Sequence, residues 1–365
     1  MKYILQIFAG SWQHKNYETE EIIKRLSEII KILPVEKAII GWVIDPFLYK
    51  EIGVFLHANG IEMLLWLPVF SETDLLLDVD ASEDVWGKPV GAPEIEAGDG
   101  FTFCCPSSQK NRNNTKLIFD THFVSCGFDG VFLDRIRTQA FVMDVRGPLS
   151  CGCASCRSFY ESHGLSLSAV AERFDRLHER FFDISSYSPK DGYAFSDPVA
   201  ASFFDIKADL IADAVNETTR YFHAKGLSVG LDLFAPLLGI FVGQDYKKIT
   251  KEADFIKPML YRRTEAPAGI GYDYGLLLDC LNGASGFQPV STDDDLLRAQ
   301  LLGLQDLPCA KYPGIEVNYE AGIVETDPAY IRDSLQIIRD CGADGAVLSW
   351  DVMMAPMEHI LAARL

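Results

Sequence analysis

Eight apolar runs recur along the chain, and segments with helical periodicity separate them. The runs are rich in β-branched and aromatic residues and are almost continuously apolar, which is typical of strands buried on both faces. They lie at residues 3–10, 37–45, 61–70, 129–137, 227–236, 254–263, 314–320 and 345–353. The sequence therefore predicts eight β-strands.

The segments between these runs carry apolar residues at helical spacing, most clearly at 19–33, 197–226 and 327–342. The last of these segments shows both of its ends. Asp327 and Pro328 are suited to an N-cap and first turn, and Gly342 is suited to a C-terminal stop. Buried strands alternating with helices predict an α/β fold in which helices cover a parallel sheet.

Eight strand–helix repeats are the number that closes a (β/α)₈ barrel. The alternative is an open, doubly wound sheet, which usually has a glycine-rich nucleotide-binding turn after its first strand. The corresponding segment here, FAGSWQHKN, contains one glycine and no GxGxxG. We therefore predict a single (β/α)₈ barrel spanning residues 1–365.

Two predicted connections are much longer than ordinary loops: about 71–126 after the third strand and about 138–226 after the fourth. Both follow the carboxyl ends of strands, the face on which barrel enzymes build their sites. We expect these insertions to form lids or subsites around that face, although decorative packing is the alternative.

Composition and charge narrow the class of function. Hydrophobic residues make up 48% of the 365 positions, enough for a large core. The net charge of −19 makes nucleic acids and anionic membranes poor partners. No apolar run approaches the ~20 residues of a membrane helix, and the apolar start is short for a signal peptide. Together with nine cysteines that suggest thiols or metal ligands, this predicts a cytoplasmic protein.

Acidic and aromatic residues dominate the predicted carboxyl ends of the strands, which converge on one mouth in a barrel. No histidine is among them, and the seven histidines show no HxH or HxxxH metal-binding spacing. The ends of strands seven and eight lack a glycine-rich phosphate loop, and Lys257 lies too early in its strand to serve as a Schiff-base lysine at the mouth. The alternative barrel chemistries are therefore not favoured.

Paired carboxylates can supply a general acid and a base or nucleophile when their surroundings separate their pKa values. Aromatic rings stack on the apolar faces of sugars, and the combination is typical of glycoside hydrolysis. We predict Asp134, Asp232 and Glu316 as catalytic residues acting on a small glycoside or oligosaccharide. The predicted substrate-binding residues are Trp12, Asp45, Trp66, Arg137, Tyr261, Arg263, Asn318, Trp350 and Asp351.

Part of the chain resembles a known group of barrel enzymes. FDGVFLDRIR (128–137) resembles the fourth-strand motif of α-amylase-like barrel glycoside hydrolases and their uncharacterised relatives, in which an aspartate ends the strand. CCPSSQKNRNN, CGCASCRSFYESHGL, VGLDLFAP, GQDYKKI and DFIKPMLYRR are similar to further blocks of these proteins, so the likeness covers most of 100–265. The resemblance implies that Asp134 is the nucleophile. The departure is at strand five, where Asp232 stands and no glutamate does, which leaves the proton donor and the stereochemical outcome open.

The charge partner of Asp134 is also predicted. Alternation along a strand places Arg135 on the face opposite to Asp134, so Arg137 is the expected partner. Arg137 would then suit either a nucleophile or a structural ion pair.

Three thiols are close together in CGCASCR: Cys151, Cys153 and Cys156. A closed structural zinc site needs four ligands, and a fourth could come from Cys104, Cys105 or His163. We therefore expect a structural zinc ion, with free thiols as the alternative, and no cofactor for catalysis. Two other functions remain open: a catalytically silent carbohydrate-binding barrel, and a zinc-dependent hydrolase that uses the cysteine cluster.

Overall fold

The computed structural model of the chain describes residues 1–72, 75, 78–91, 101–281 and 293–365. Eight parallel strands form a closed barrel in which every strand pairs with its neighbours in sequence order, and the last pairs with the first. The strands are β1 (Lys2–Phe8), β2 (Val35–Gly41), β3 (Glu62–Pro68), β4 (Gly130–Asp134), β5 (Ser228–Phe234), β6 (Phe255–Met259), β7 (Gly314–Glu316) and β8 (Gly345–Ser349).

These strands confirm the predicted (β/α)₈ barrel, and each lies within or overlaps one of the eight apolar runs. They are buried along most of their length because their side chains face either the barrel interior or the surrounding helices. The observed strands are shorter than most of the apolar runs, since the chain leaves the sheet before the apolar sequence stops. The polar residues after each strand lie on connections at one rim of the barrel.

Within the described residues, twelve α-helices accompany the strands. They are α1 (Thr19–Ile30), α2 (Pro46–Ala58), α3 (Gln109–Ile118), α4 (Ala154–Ser162), α5 (Leu167–Leu177), α6 (Pro198–His223), α7 (Pro236–Gly239), α8 (Tyr246–Ile249), α9 (Ile270–Leu281), α10 (Asp294–Gly303), α11 (Pro328–Asp340) and α12 (Met357–Ala362). Helices α1, α6 and α11 confirm the three clearest helical patterns. No helix in the described ranges is long and apolar enough to span a membrane.

Aspartate caps explain where several helices begin. Asp327 accepts hydrogen bonds from the backbone N–H groups of the first turn of α11, and Pro328 follows it as predicted. Asp197 caps α6 in the same way. Asp45 caps α2 by accepting from the amides of Phe47 and Leu48, both at 3.1 Å.

The two long connections lie after β3 and β4. The first contains α3, and residues 73–74, 76–77 and 92–100 of the predicted insertion fall outside the described residues. The second contains α4, α5, a two-stranded hairpin (Ile184–Ser188 with Gly192–Phe195) and α6. Both connections start at the carboxyl ends of their strands, on the side of the barrel where the acidic residues lie.

Candidate active site

Asp134 ends strand β4 at this rim, and its side chain is 13% exposed. One carboxylate oxygen accepts a hydrogen bond from the indole Nε1 of Trp66 at 2.8 Å. The other accepts the backbone N–H of Arg135 at 2.5 Å. The carboxylate is therefore held in one orientation while it remains reachable from the mouth.

The charge partner of Asp134 differs from the sequence expectation. Arg135 has φ +53°, so the strand stops at Asp134 and the alternation rule no longer applies to the next residue. Its guanidinium Nε lies 3.9 Å from the Asp134 carboxylate, and the same group forms an ion pair with Glu72 and lies 3.5 Å from the centre of the Phe101 ring. Arg135, which we expected to point away, is thus the cation in contact with Asp134.

Asp232 lies beside Asp134 on the neighbouring strand. Leu133 pairs with Leu231, so the two aspartates that follow them stand at the same level of adjacent strands, which run ~4.8 Å apart. Asp232 is 3% exposed. Its Oδ2 accepts from Lys257 Nζ at 3.0 Å, whereas its Oδ1 has no hydrogen-bond partner.

The surroundings of Asp232 favour its protonated form. Burial raises the pKa of Asp232 to about 7, the nearby charge of Asp134 adds to this increase, and Lys257 opposes it. The buried carboxyl group of Asp232 therefore tends to keep its proton, whereas the more accessible carboxylate of Asp134 accepts two hydrogen bonds. This is the kind of division that acid–base chemistry requires.

Lys257 lies inside the barrel as the third residue of β6. Its early position in the run FIKPMLY argued against a Schiff-base lysine at the mouth, and its side chain is 1% exposed. The pairing of β5 with β6 aligns Lys257 with Asp232, and its side chain reaches that carboxylate from the barrel interior. This contact with Asp232 was not predicted from the sequence.

Arg137 is buried between two aromatic rings. Its guanidinium lies 4.6 Å from the ring centre of Phe103 and 4.4 Å from that of Phe234. One N–H group donates to the backbone oxygen of Thr138 at 3.0 Å. Burial lowers the pKa of Arg137 to about 10, while Asp273, Asp134 and Asp232 act in the opposite direction. Arg137 therefore lies within the field of three carboxylates.

Asp273 is a third acid of the site, and sequence reasoning missed it. It lies in the first turn of α9, is 2% exposed, and accepts from the backbone N–H of Ala268 at 2.7 Å through Oδ2. Its Oδ1 has no partner, and burial raises its pKa to about 6 although Arg137 opposes the shift. The available signal was an acidic residue among the apolar positions of IGYDYGLLLDC.

Glu316 is fully buried at the end of β7, but both of its oxygens are already occupied. One accepts the backbone N–H of Arg263 at 2.5 Å and the other accepts the hydroxyl of Tyr330 at 3.0 Å. Burial raises the pKa of Glu316 to about 7. Through these contacts Glu316 links three parts of the chain: β7, the segment that follows β6, and helix α11. The side chain of Arg263, a predicted substrate-binding residue, is exposed.

Asn318 and Asp351 join the ends of β7 and β8. Asn318 donates to the backbone oxygen of Asp351 at 2.9 Å and accepts from the backbone N–H of Trp350 at 2.8 Å. Asp351 accepts the hydroxyl of Tyr17 at 2.9 Å, and burial raises its pKa to about 6. Trp350 is half-buried, with an indole N–H that has no partner.

The predicted aromatic platform is mostly enclosed. Trp12 is 1% exposed and donates to the backbone oxygen of Glu72 at 3.0 Å, so neither ring face is available to a ligand. Trp42, which we did not predict, packs edge-on against Trp66 with ring centres 5.2 Å apart.

The two remaining predicted substrate-binding residues already have partners within the protein. Asp45 serves as the α2 cap described above and lies 3.8 Å from Lys15. Tyr261 is buried against Lys257, with 5.2 Å between the ring centre and Nζ.

Four thiols form a buried cluster between the two long connections. Cys105, Cys151, Cys153 and Cys156 have sulfur atoms that all lie within 4.8 Å of one another. The Cys105 sulfur is 3.5 Å from that of Cys156 and 3.1 Å from that of Cys153. These four side chains could hold a tetrahedral metal ion, and Cys105 is the fourth member among the three alternatives we considered.

A cavity of about 490 Å³ lies beside the hairpin, helices α6, α8 and α10, and the connection that follows β5. Its walls include Tyr193, Phe204 and Leu304, together with several aspartates and two lysines. None of the residues that line it belongs to the carboxylate group around Asp134. The carboxylate group and this cavity are therefore separate features of the molecule.

Solved structures with the same architecture support the fold. The glycoside hydrolase domain of PgaB (BpsB) from Bordetella bronchiseptica matches with a TM-score of 0.64 and 13% identity, over 99% of this chain and 98% of that domain. Alpha-L-fucosidase isoenzyme 2 from Paenibacillus thiaminolyticus matches with a TM-score of 0.55 and 12% identity, over 100% of this chain and 48% of the fucosidase. The chain thus spans about half the length of the fucosidase.

No protein-family model matches the sequence, and the search of curated proteins finds no match. At 12–13% identity the two structural likenesses establish a shared barrel fold. They do not extend to catalytic residues or substrates. Any function must therefore be argued from the side chains of the site itself.

Proposed function

We propose that the protein is a glycoside hydrolase acting on an oligosaccharide or small glycoside at the carboxyl ends of the barrel strands. The observation that carries this proposal is the pair Asp134 and Asp232, which stand side by side on adjacent strands in unlike surroundings. Glycoside hydrolysis needs two carboxyl groups in this relationship. The fold shared with the PgaB glycoside hydrolase domain is consistent with the proposal.

The two acids receive different roles from their surroundings. Asp232, with its pKa raised to about 7 and its free Oδ1, is the proton donor to the leaving oxygen. Asp134, which accepts N–H groups from Trp66 and Arg135, is the nucleophile. Positions at one level of adjacent strands favour the short carboxyl separation of retaining enzymes, ~5–5.5 Å.

The test replaces each acid with its uncharged isostere. We expect Asp134→Asn and Asp232→Asn to lower kcat on a panel of aryl glycosides by at least about 1,000-fold, because each removes a group that acts in the transition state. Asp213→Asn is the matched control, since that carboxylate is 57% exposed and contacts Arg112 instead. Melting temperatures of all three variants establish that the fold is retained.

The outcome for Asp134 separates catalysis from a structural role. Loss of activity with an unchanged melting temperature supports the assignment. An Asp134→Asn protein that melts several degrees lower but hydrolyses its best substrate at the wild-type rate would contradict it, because the residue would then be only the partner of Arg135 and Trp66.

A carbohydrate-binding barrel without catalysis is the second candidate. The ion pair between Lys257 and Asp232 favours it, since a permanently paired, charged aspartate cannot donate a proton. Calorimetric binding of a glycan that neither the wild type nor any acid variant hydrolyses would support this candidate and exclude the first.

We also propose that the four thiols bind a structural zinc ion. Four buried sulfur ligands complete a tetrahedral site and leave no position for a reactive water, so the alternative of a zinc-dependent hydrolase is not favoured. All nine cysteines are free of disulfides, which supports our proposal of a reducing, cytoplasmic location. The cluster contains the three predicted ligands Cys151, Cys153 and Cys156 together with Cys105.

Metal analysis tests the zinc proposal. We expect about one zinc per wild-type chain and a strong loss in Cys105→Ser, whereas Cys104→Ser should retain the metal, because Cys104 is buried next to the cluster but is not a member of it. Chelation should lower the melting temperature of the wild type. Equal zinc contents in the two serine variants would overturn the assignment.

A further inference from the structure

We propose that Lys257 is a positioning residue that fixes Oδ2 of Asp232 and leaves Oδ1 as the single oxygen through which this acid exchanges a proton with the substrate. The inference rests on the proposed function and adds to it the orientation of the acid and the residue that controls it. Three features of the barrel interior support it.

The first feature is the isolation of the ion pair. The side chains of Lys257 and Asp232 are 1% and 3% exposed, and the 3.0 Å contact between them is closed to solvent. The ammonium group also lies 5.7 Å from the ring centre of Phe132 and 5.2 Å from that of Tyr261. The ammonium group has few alternative positions, because leaving Asp232 would place it without a partner in an apolar interior.

The second feature is the space that Gly314 leaves for the lysine. A Cβ atom at position 314 would lie 2.5 Å from Cε of Lys257 and 3.2 Å from Oγ of Ser349. The backbone of Gly314 has no positive φ, so the absence of a side chain matters here for space rather than for conformation. The lysine side chain therefore occupies space that any side chain at position 314 would fill.

The third feature is a continuous chain of polar contacts around the interior. Ser349 donates to Gln6 at 3.1 Å, Tyr261 interacts electrostatically with both Ser349 and Lys257, and Lys257 contacts Asp232. The polar atoms left without a partner lie at its two ends, Nε2 of Gln6 and Oδ1 of Asp232. The contact with Lys257 thus determines which oxygen of Asp232 is left without a partner.

The contact also sets the ionisation of the acid. Lys257 lowers the pKa of Asp232 against the larger, opposite effect of burial. Removing the ammonium group should therefore raise this pKa further, so that the carboxyl group holds its proton more tightly and becomes a weaker donor. A lysine that only filled space would leave the ionisation unchanged when an apolar side chain of similar length replaced it.

The experiment measures the titration of Asp232 directly, by infrared difference spectra or carboxyl NMR with Asp232→Asn identifying the signal. We expect Lys257→Met to raise the pKa of Asp232 by at least one unit and Lys257→Arg to restore most of the wild-type value. Gly314→Ala should produce a smaller shift in the same direction, because it displaces the lysine without removing its charge. Lys207→Met is the matched control, since Lys207 is equally buried but donates to the backbone oxygens of Pro148 and Phe241.

These readouts need no substrate, so they separate this inference from the proposed function. An unchanged titration in Lys257→Met and Gly314→Ala, or an equal shift in Lys207→Met, would overturn the role of Lys257 even in an active hydrolase. Should Lys257→Met fail to fold, Gly314→Ala alone decides the matter. The expected shift in a protein that hydrolyses no glycoside would instead reject the proposed function and, with it, the proton exchange through Oδ1.

Discussion

At the scale of single residues, the site depends on polar partners that hold each acid at a defined angle. The indole N–H of Trp66 donates to one carboxylate oxygen of Asp134 at 2.8 Å. A hydrogen bond to a charged group contributes about 1.5–3 kcal/mol. Trp66 was predicted as a surface for stacking, but it is 9% exposed and contacts the acid through its edge.

Trp66→Phe removes this donor and keeps an aromatic ring. We expect kcat/KM to fall by about 10- to 100-fold, the equivalent of one hydrogen bond to a charged group. Trp86→Phe is the matched control, because Trp86 donates to Asp175 at 3.1 Å on the exposed insertion. Equal rates for the two variants would show that Asp134 needs no support from the indole.

Sequence reasoning reached Asp134 and Asp232 because both lie near the carboxyl ends of apolar strands, but it could not reach their partners. Lys257 and Asp273 act through contacts between elements far apart in sequence, and no local pattern encodes the register that brings them together. Glu316 was selected by the same strand-end rule, and its two hydrogen bonds to Arg263 and Tyr330 depend equally on tertiary packing.

At the scale of elements, some polar strand-end residues belong to the helix that follows. Asp45 was predicted to bind substrate, yet its carboxylate accepts the first-turn amides of α2. An aspartate followed by proline, as at 45–46, is typical of a helix N-cap, and an aspartate at this position is equally consistent with a substrate-binding residue. The sequence alone could not separate the two, because both functions place an acid directly after a strand.

Asp45→Ala tests this assignment. We expect the free energy of unfolding in urea to fall by about 1 kcal/mol, the usual contribution of an N-cap, while kcat/KM stays within about twofold. Asp45→Ser should recover most of the stability, since a serine hydroxyl can also accept from these amides. A large loss of activity in both variants, with stability unchanged, would return Asp45 to the substrate site.

At the scale of the whole molecule, the barrel was predictable because all eight strands are buried on both faces and therefore read as apolar runs. The closure itself follows from their number and from the parallel order that the intervening helices impose. The paths of the two long connections were not predictable, since their course depends on contacts such as the four-thiol cluster.

Four buried acids give the molecule an unusual dependence of stability on pH. Burial raises the pKa of Asp232 and Glu316 to about 7 and that of Asp273 and Asp351 to about 6. In the unfolded chain these groups ionise near pH 4, so the stability they contribute is complete below pH 4. It is lost as pH rises through 6 to 7.

We therefore expect the free energy of unfolding in urea to be lower at pH 7.5 than at pH 5. Glu316→Gln should make that decrease smaller by about 2–3 kcal/mol, because glutamine does not ionise. Glu217, whose pKa is lowered to about 2 by Lys116 and Arg112 against the effect of burial, titrates below this window and does not interfere. An identical slope in the wild type and the variant would contradict the raised pKa.

The position of the four thiols along the chain has a consequence for how the barrel is assembled. Cys105 precedes α3 and β4, and the other three follow β4, so a metal ion at this cluster closes a loop that contains the strand carrying Asp134. Such a cross-link restricts the unfolded chain most strongly around β4. With the proposed metal bound, amide hydrogen exchange in β4 should therefore be an early indicator of metal loss.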